Sequence, residues 1–152
     1  MMQKQYAGSD QRDAVGVKQR IERFEDLIAW QKARKLAAEV YRATSSGPIA
    51  RDFELRGQLR DAAVSTMSNI AEGYERGSDN EFHYFLGISK ASCAELRSEL
   101  YVAWDVGYFS ETRFRDLYSQ ALEVGRVVSG LRASVDRRRK AKNTSRTRQP
   151  HT

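Results

Sequence analysis

Ser68-Asn69-Ile70-Ala71-Glu72-Gly73-Tyr74 decides the fold, because it sets polar groups at helical spacing inside an apolar stripe. Leu55, Leu59, Ala62, Ala63 and Met67, continuing through Ile70, Ala71 and Tyr74, recur at three- and four-residue steps and so share one face of a helix. Asn69 and Glu72 fall three residues apart on the flank of that face, and Arg76 follows Glu72 at the i,i+4 spacing of a helical ion pair. Gly73, with no side chain, lets a neighbouring backbone come close. Asn69, Glu72, Gly73 and Arg76 are therefore expected at a polar interface that fixes helix register; contact with a ligand or RNA is the competing reading.

The same periodicity predicts three more helices. Over residues 24–44, Ala29, Trp30, Ala33, Leu36, Ala37, Val40 and Tyr41 form a broad apolar arc opposite Gln31, Lys32, Lys35, Glu39 and Arg42. So wide an arc meets either two neighbours in a bundle or a second subunit. Ser45-Ser46-Gly47-Pro48 breaks the chain, and Asp52 stands ready to cap the helix that carries the opening stretch to Arg76. Gly77-Ser78-Asp79, with Ser78 or Asp79 as the next cap, is a connection short enough to imply antiparallel neighbours.

Residues 80–106 then carry two apolar stripes, a larger one of Phe82, Phe85, Leu86, Cys93, Leu96, Leu100, Ala103 and Trp104 and a smaller one of Tyr84, Ile88, Ala91, Val102 and Val106. Between them run Glu81, Ser92, Glu95 and Glu99, a carboxylate row expected at a partner-facing seam or else paired with Arg60, Arg76 or Arg97. After Gly107, with Ser110 as cap, Phe114, Leu117, Ala121, Val124, Val128, Leu131 and Val135 alternate three- and four-residue steps without interruption. The expected fold is an all-α, antiparallel up-down four-helix bundle over residues 24–136.

Charge is placed unevenly. The chain of 152 residues carries +6, with five basic and three acidic groups in residues 1–23 and seven and one in residues 136–152, so that residues 24–135 hold −2. Residues 1–23 lack an apolar run and read as a flexible leader, and residues 137–152, where apolar positions stop, as a disordered basic tail. Attraction to nucleic acid is accordingly assigned to Arg137, Arg138, Arg139, Lys140, Lys142, Arg146 and Arg148, with solubility alone as the competing reading. Such a row neutralises phosphates without reading bases.

Metal and catalytic patterns are missing. Carboxylate-bridged metal sites in bundles use Glu-x-x-His at i,i+3 on facing helices; here the histidines are His83 and His151, and Glu81 is two residues from His83. Cys93 lies in the apolar stripe like a small core residue and, having no second cysteine to pair with, fits a reducing compartment. No apolar run reaches membrane-spanning length. The expectation is a cytoplasmic, non-enzymatic protein with no cofactor, no metal and no membrane partner; an enzyme using Glu81, Glu95 and Glu99 is a remote alternative.

Several short motifs, in order along the chain, carry a resemblance. Phe24-Glu25-Asp26-Leu27, Trp30-Gln31-Lys32-Ala33, Gly57-Gln58-Leu59-Arg60-Asp61-Ala62-Ala63-Val64-Ser65, the opening stretch, Glu81-Phe82, Phe85-Leu86, Ala94-Glu95-Leu96 and Glu99-Leu100 stand together here. They resemble the four-helix bundle family of proteins encoded in intervening sequences of large-subunit (23S) ribosomal RNA genes. Thr66-Met67 stands where that family usually has Ile-Pro, which implies a straighter second helix. The resemblance implies a homo-oligomer, a pentameric ring, with the apolar stripes of the first and third helices as subunit contacts, and association with RNA or DNA. The family also resembles accessory proteins of diversity-generating retroelements, which implies a reverse transcriptase and its RNA as further partners. A protein-interaction scaffold without nucleic acid is the alternative function.

Overall fold

The computed structural model describes residues 20–148; the leader's residues 1–19 and the tail's residues 149–152, His151 among them, lie outside the described residues. Four α-helices follow one another: α1 (Ile28–Ala43), α2 (Phe53–Glu75), α3 (Asp79–Asp105) and α4 (Glu111–Thr147), with 3-10 turns at Phe24–Asp26 and Pro48–Arg51 and no strand among the described residues. Side chains at the expected positions satisfy the free amides of three helix starts. The Leu55 amide donates to Asp52 Oδ1 at 3.1 Å, the Glu81 amide to Ser78 Oγ at 3.2 Å and the Arg113 amide to Ser110 Oγ at 3.1 Å. Gly47, Gly77 and Gly107, with φ of 75°, 93° and 81°, supply the left-handed residue in each connection between helices.

α3 packs along both α2 and α4, and α1 closes the bundle by contacting α2 and α4 in turn. The broad arc of α1 is thus explained by two neighbours: Ala29, Ala33, Leu36, Ala37 and Val40 are all buried. The seam of α4 is buried at every predicted position from Phe114 to Val135. In α3, Phe82, Leu86, Cys93, Leu96, Leu100 and Ala103 of the larger stripe are buried. The smaller stripe stays outside the core, with Tyr84, Val102 and Val106 exposed by 64%, 47% and 56%.

At Gly73 α2 and α3 come so close that a Cβ would lie 2.6 Å from the Phe85 Cβ and 3.1 Å from the Phe82 ring. Nearby, Ser89 Oγ donates to the Thr66 carbonyl at 2.7 Å, and the Thr66 hydroxyl donates to the Ala62 carbonyl at 2.8 Å, while α2 runs unbroken through this point.

Two expected boundaries move. The segment read as a disordered tail from residue 137 is helical as far as Thr147, making α4 37 residues long. The apolar period ends at Val135 because the core ends there; the helix continues on backbone hydrogen bonds and local ion pairs, neither of which needs an apolar partner. At the other end Ile21, assigned to the leader, is buried, and Asp26 Oδ2 accepts the amides of Glu22 and Arg23 at 3.0 and 3.2 Å.

Candidate nucleic-acid interface

Past Val135 the cations of α4 divide between two opposite faces. Arg139, Lys142 and Arg146, three and four residues apart, form one row; Arg137, Lys140 and Arg148 form the other, with Thr144 between. The first row faces the beginning of α3. Lys142 Nζ reaches Asp79 Oδ2 at 2.5 Å, Arg138 Nη2 lies 3.8 Å from Asp79 Oδ1, and the Asp79 side chain is only 7% exposed. Asp79 therefore clamps the two helices together with a buried carboxylate that two cations match. A cleft of about 440 Å³ opens beside this clamp.

Asp136 serves the second local cluster. Its Oδ1 accepts Arg139 Nη2 at 2.7 Å, and its Oδ2 lies 3.0 Å from Lys140 Nζ. Hydrogen bonds from Arg139 and then Lys140 hold this carboxyl down at about 2. His83 Nε2 stands 3.7 Å from the same carboxylate. Burial, then the positive Arg132 and Arg139, lower the imidazole's pKa against the opposing pull of Asp136, so the contact is made by a neutral ring near pH 7. Arg137, Arg146 and Arg148 have no acidic partner among the described residues.

The expected interface network divides into two. Glu72 and Arg76 form the predicted ion pair at 2.8 Å; Glu81 lies 4.0 Å from Arg76, whose guanidinium covers the Phe85 ring at 5.1 Å. Asn69 belongs elsewhere: its amide donates to the Ser65 carbonyl at 2.8 Å and to Ser65 Oγ at 3.0 Å, and Ser65 Oγ bonds Ser92 Oγ across the α2–α3 contact at 2.8 Å. The Ser65–Ser92 hydroxyl pair and the Ser89 hydroxyl on the Thr66 carbonyl thus do the interhelical bonding expected of Asn69 and Glu72; serines inside an apolar stripe are its sequence trace.

The carboxylate row divides as well. Glu81 goes to Arg76, but Glu95 and Glu99 meet each other. Burial, then the Glu95 hydrogen bond and charge and the charge of Asp61, push the Glu99 carboxyl up to about 7. Arg60 points instead to Thr44 Oγ1 at 2.9 Å and lies over the Tyr41 ring, while Arg97 Nε and Glu99 Oε2 are buried without hydrogen-bond partners. Among the described residues no group of His, Cys, Asp and Glu is arranged to hold a metal ion, and no helix is long and apolar enough to cross a membrane.

A sequence profile described as 23S rRNA-intervening sequence protein matches residues 25–130, most of the bundle. The chain belongs to this family. Its fold is similar to the crystal structure of a protein of unknown function from the S23 ribosomal protein family of Bacteroides thetaiotaomicron, with a TM-score of 0.65 and 15% identity over 70% of this chain and 96% of that one. No curated protein matches the sequence. The match ends at residue 130 and does not cover the cationic end of α4. Any role for that end has to be argued from its own geometry.

Proposed function

We propose that this protein is a non-catalytic, self-associating bundle that binds structured RNA through the cationic end of α4. The observation that carries the reading is the helical extension itself: six cations on α4 past Val135 and a seventh, Arg148, at its C-cap, two carboxylates beside them, and Arg137, Arg146 and Arg148 without acidic partners among the described residues. A rigid rod with charge on both faces attracts phosphate backbones strongly and without base preference, with an affinity that falls steeply as salt rises. Ribosomal RNA is the first ligand to test; a reverse transcriptase with its RNA is the second.

Retention of a ribosomal RNA hairpin by full-length protein across a salt series tests this. Replacing Arg137, Arg146 and Arg148 together by Ala is expected to reduce the slope of log affinity against log salt by about three. Absence of binding at the lowest salt rejects the reading.

The exposed smaller stripe of α3 favours a protein contact as a second element. Tyr84, Val102 and Val106 lie on the outer surface of one subunit, and a second copy, in the ring of five that the family resemblance implies, is the partner proposed for them. Light scattering measures the stoichiometry. An oligomer that ignores RNA at all salts selects the scaffold alternative.

A further inference from the structure

The geometry points to a phosphate seat: the cleft between the start of α3 and the inner cationic row of α4 takes one backbone phosphodiester of the bound RNA, with Asp79 fixing the lysine that meets it. This rests on the RNA-binding reading and adds a defined place to it.

The cleft is lined by Asp79 and Asn80 from α3 and by Arg139, Lys142, Asn143 and Arg146 from α4. Its donors are in excess over its internal acceptors. Lys142 bonds Asp79 with one ammonium that carries three donors. Arg139 uses Nε and Nη2 on Asp136, leaving further guanidinium donors. Arg146 has no partner among the described residues, and the side-chain amides of Asn80 and Asn143 are likewise uncommitted there.

A phosphodiester, with acceptor oxygens and one negative charge, is the chemistry that such a set lacks. Asp79 lines the cleft too, but Lys142 and Arg138 match its single charge, and with Arg139 and Arg146 the recess stays net positive; the bond to Lys142 holds that ammonium in the position a phosphate needs. The rotamer entropy of a long side chain is thereby spent on folding rather than on binding. In the outer row Lys140 is taken up by Asp136, and Arg137 and Arg148 have no acidic partner among the described residues, so this row adds attraction without a clamp on a second helix.

Fluorescence anisotropy with a hairpin RNA and the full-length protein, over about 50 to 300 mM KCl, separates a seat from general attraction. Arg146→Ala is expected to lower the salt slope by about one. Asn143→Ala, which changes no charge, is expected to weaken binding roughly fivefold with the slope unchanged, the effect of one lost hydrogen bond. Thr144→Ala, on the outer face, leaves affinity as it was. Asn80→Ala repeats the neutral-donor test from the other helix, and the melting point of each variant checks that it folds. Equal affinities for wild type, Asn143→Ala and Asn80→Ala overturn the seat while leaving RNA binding intact. Wild-type protein that binds no RNA at the lowest salt overturns both.

Discussion

Up to Val135, α4 is fixed by burial: Phe114, Leu117, Ala121, Val124, Val128, Leu131 and Val135 all face the core. From Asp136 onward the same helix is fixed by charge, through Lys142 and Arg138 on Asp79 and through Arg139 and Lys140 on Asp136. The two regimes differ in scale. Each large apolar side chain withdrawn from water contributes about 1.5–3 kcal/mol, whereas an exposed helical ion pair contributes about 0.3–0.5 kcal/mol. One stretch folds the protein. The other adds little to stability and leaves Arg137, Arg146 and Arg148 without acidic partners among the described residues.

The largest effect on this comparison comes from attacking the buried regime at a close helix contact. Gly73→Glu places a charged side chain where even a Cβ meets Phe85 at 2.6 Å, and it is expected to cost at least about 3 kcal/mol by chemical denaturation. An unaltered unfolding midpoint would show that α2 and α3 do not cross so closely.

Next come paired substitutions on α4. Leu117→Ala, at a fully buried position, is expected to destabilise by about 2–5 kcal/mol. Arg137→Ala, in the charged stretch, stays within about 0.5 kcal/mol. If the two costs came out alike, the division of the helix into two regimes would be wrong.

A smaller effect probes the joint between the regimes. Asp79→Asn leaves Lys142 and Arg138 without their matched carboxylate, at a cost of about 1–2 kcal/mol. Hydrogen exchange at the amides of residues 139–147 is then expected to accelerate, with protection at residues 114–135 little changed.

The smallest effect concerns a carboxylate with the opposite problem. Glu99 has Glu95 and Asp61 as neighbours and a folded-state pKa raised to about 7. A carboxyl raised on folding binds its proton more tightly in the native state, so stability from this group is full below the usual carboxylate range and is lost as pH climbs towards 7 and beyond. Glu99→Gln is expected to melt a few degrees higher than wild type at pH 8 and at the same temperature near pH 4. A pH-independent difference between the two proteins would show that Glu99 ionises normally. Asp136, held down at about 2 by cations, titrates in the reverse sense and only in strong acid.

Much of the fold was legible because burial leaves a period. The seam of α4, the larger stripe of α3, the capping roles of Asp52 and Ser110, and the close approach at Gly73 can each be read from spacing and residue type, while the choice of Ser78 over Asp79 as the cap of α3 was made by the structure. The Glu72–Arg76 pair was legible for the same reason, since both residues lie on one helix at a fixed separation. The site was less so. Asp79 and Lys142 are 63 residues apart and belong to different helices, and no periodicity links them. The row of Glu81, Glu95 and Glu99 looked uniform, yet Arg76 takes Glu81 while Arg97, only two residues from both Glu95 and Glu99, leaves them to each other.

The sequence by itself determined that there are four amphipathic rods, where their cores begin and end, which glycines turn the chain and that positive charge gathers past Val135. These follow from local geometry, 3.6 residues to a turn and a few backbone conformations open to glycine. Only the tertiary structure decided that the cationic segment continues as a helix to Thr147, and that the first turn of α3 lies against it. It also decided which cations are already matched and which are left over. Whether a charge is neutralised depends on a partner within a few ångströms, and for residues far apart in the chain only the packing of the helices brings that partner near.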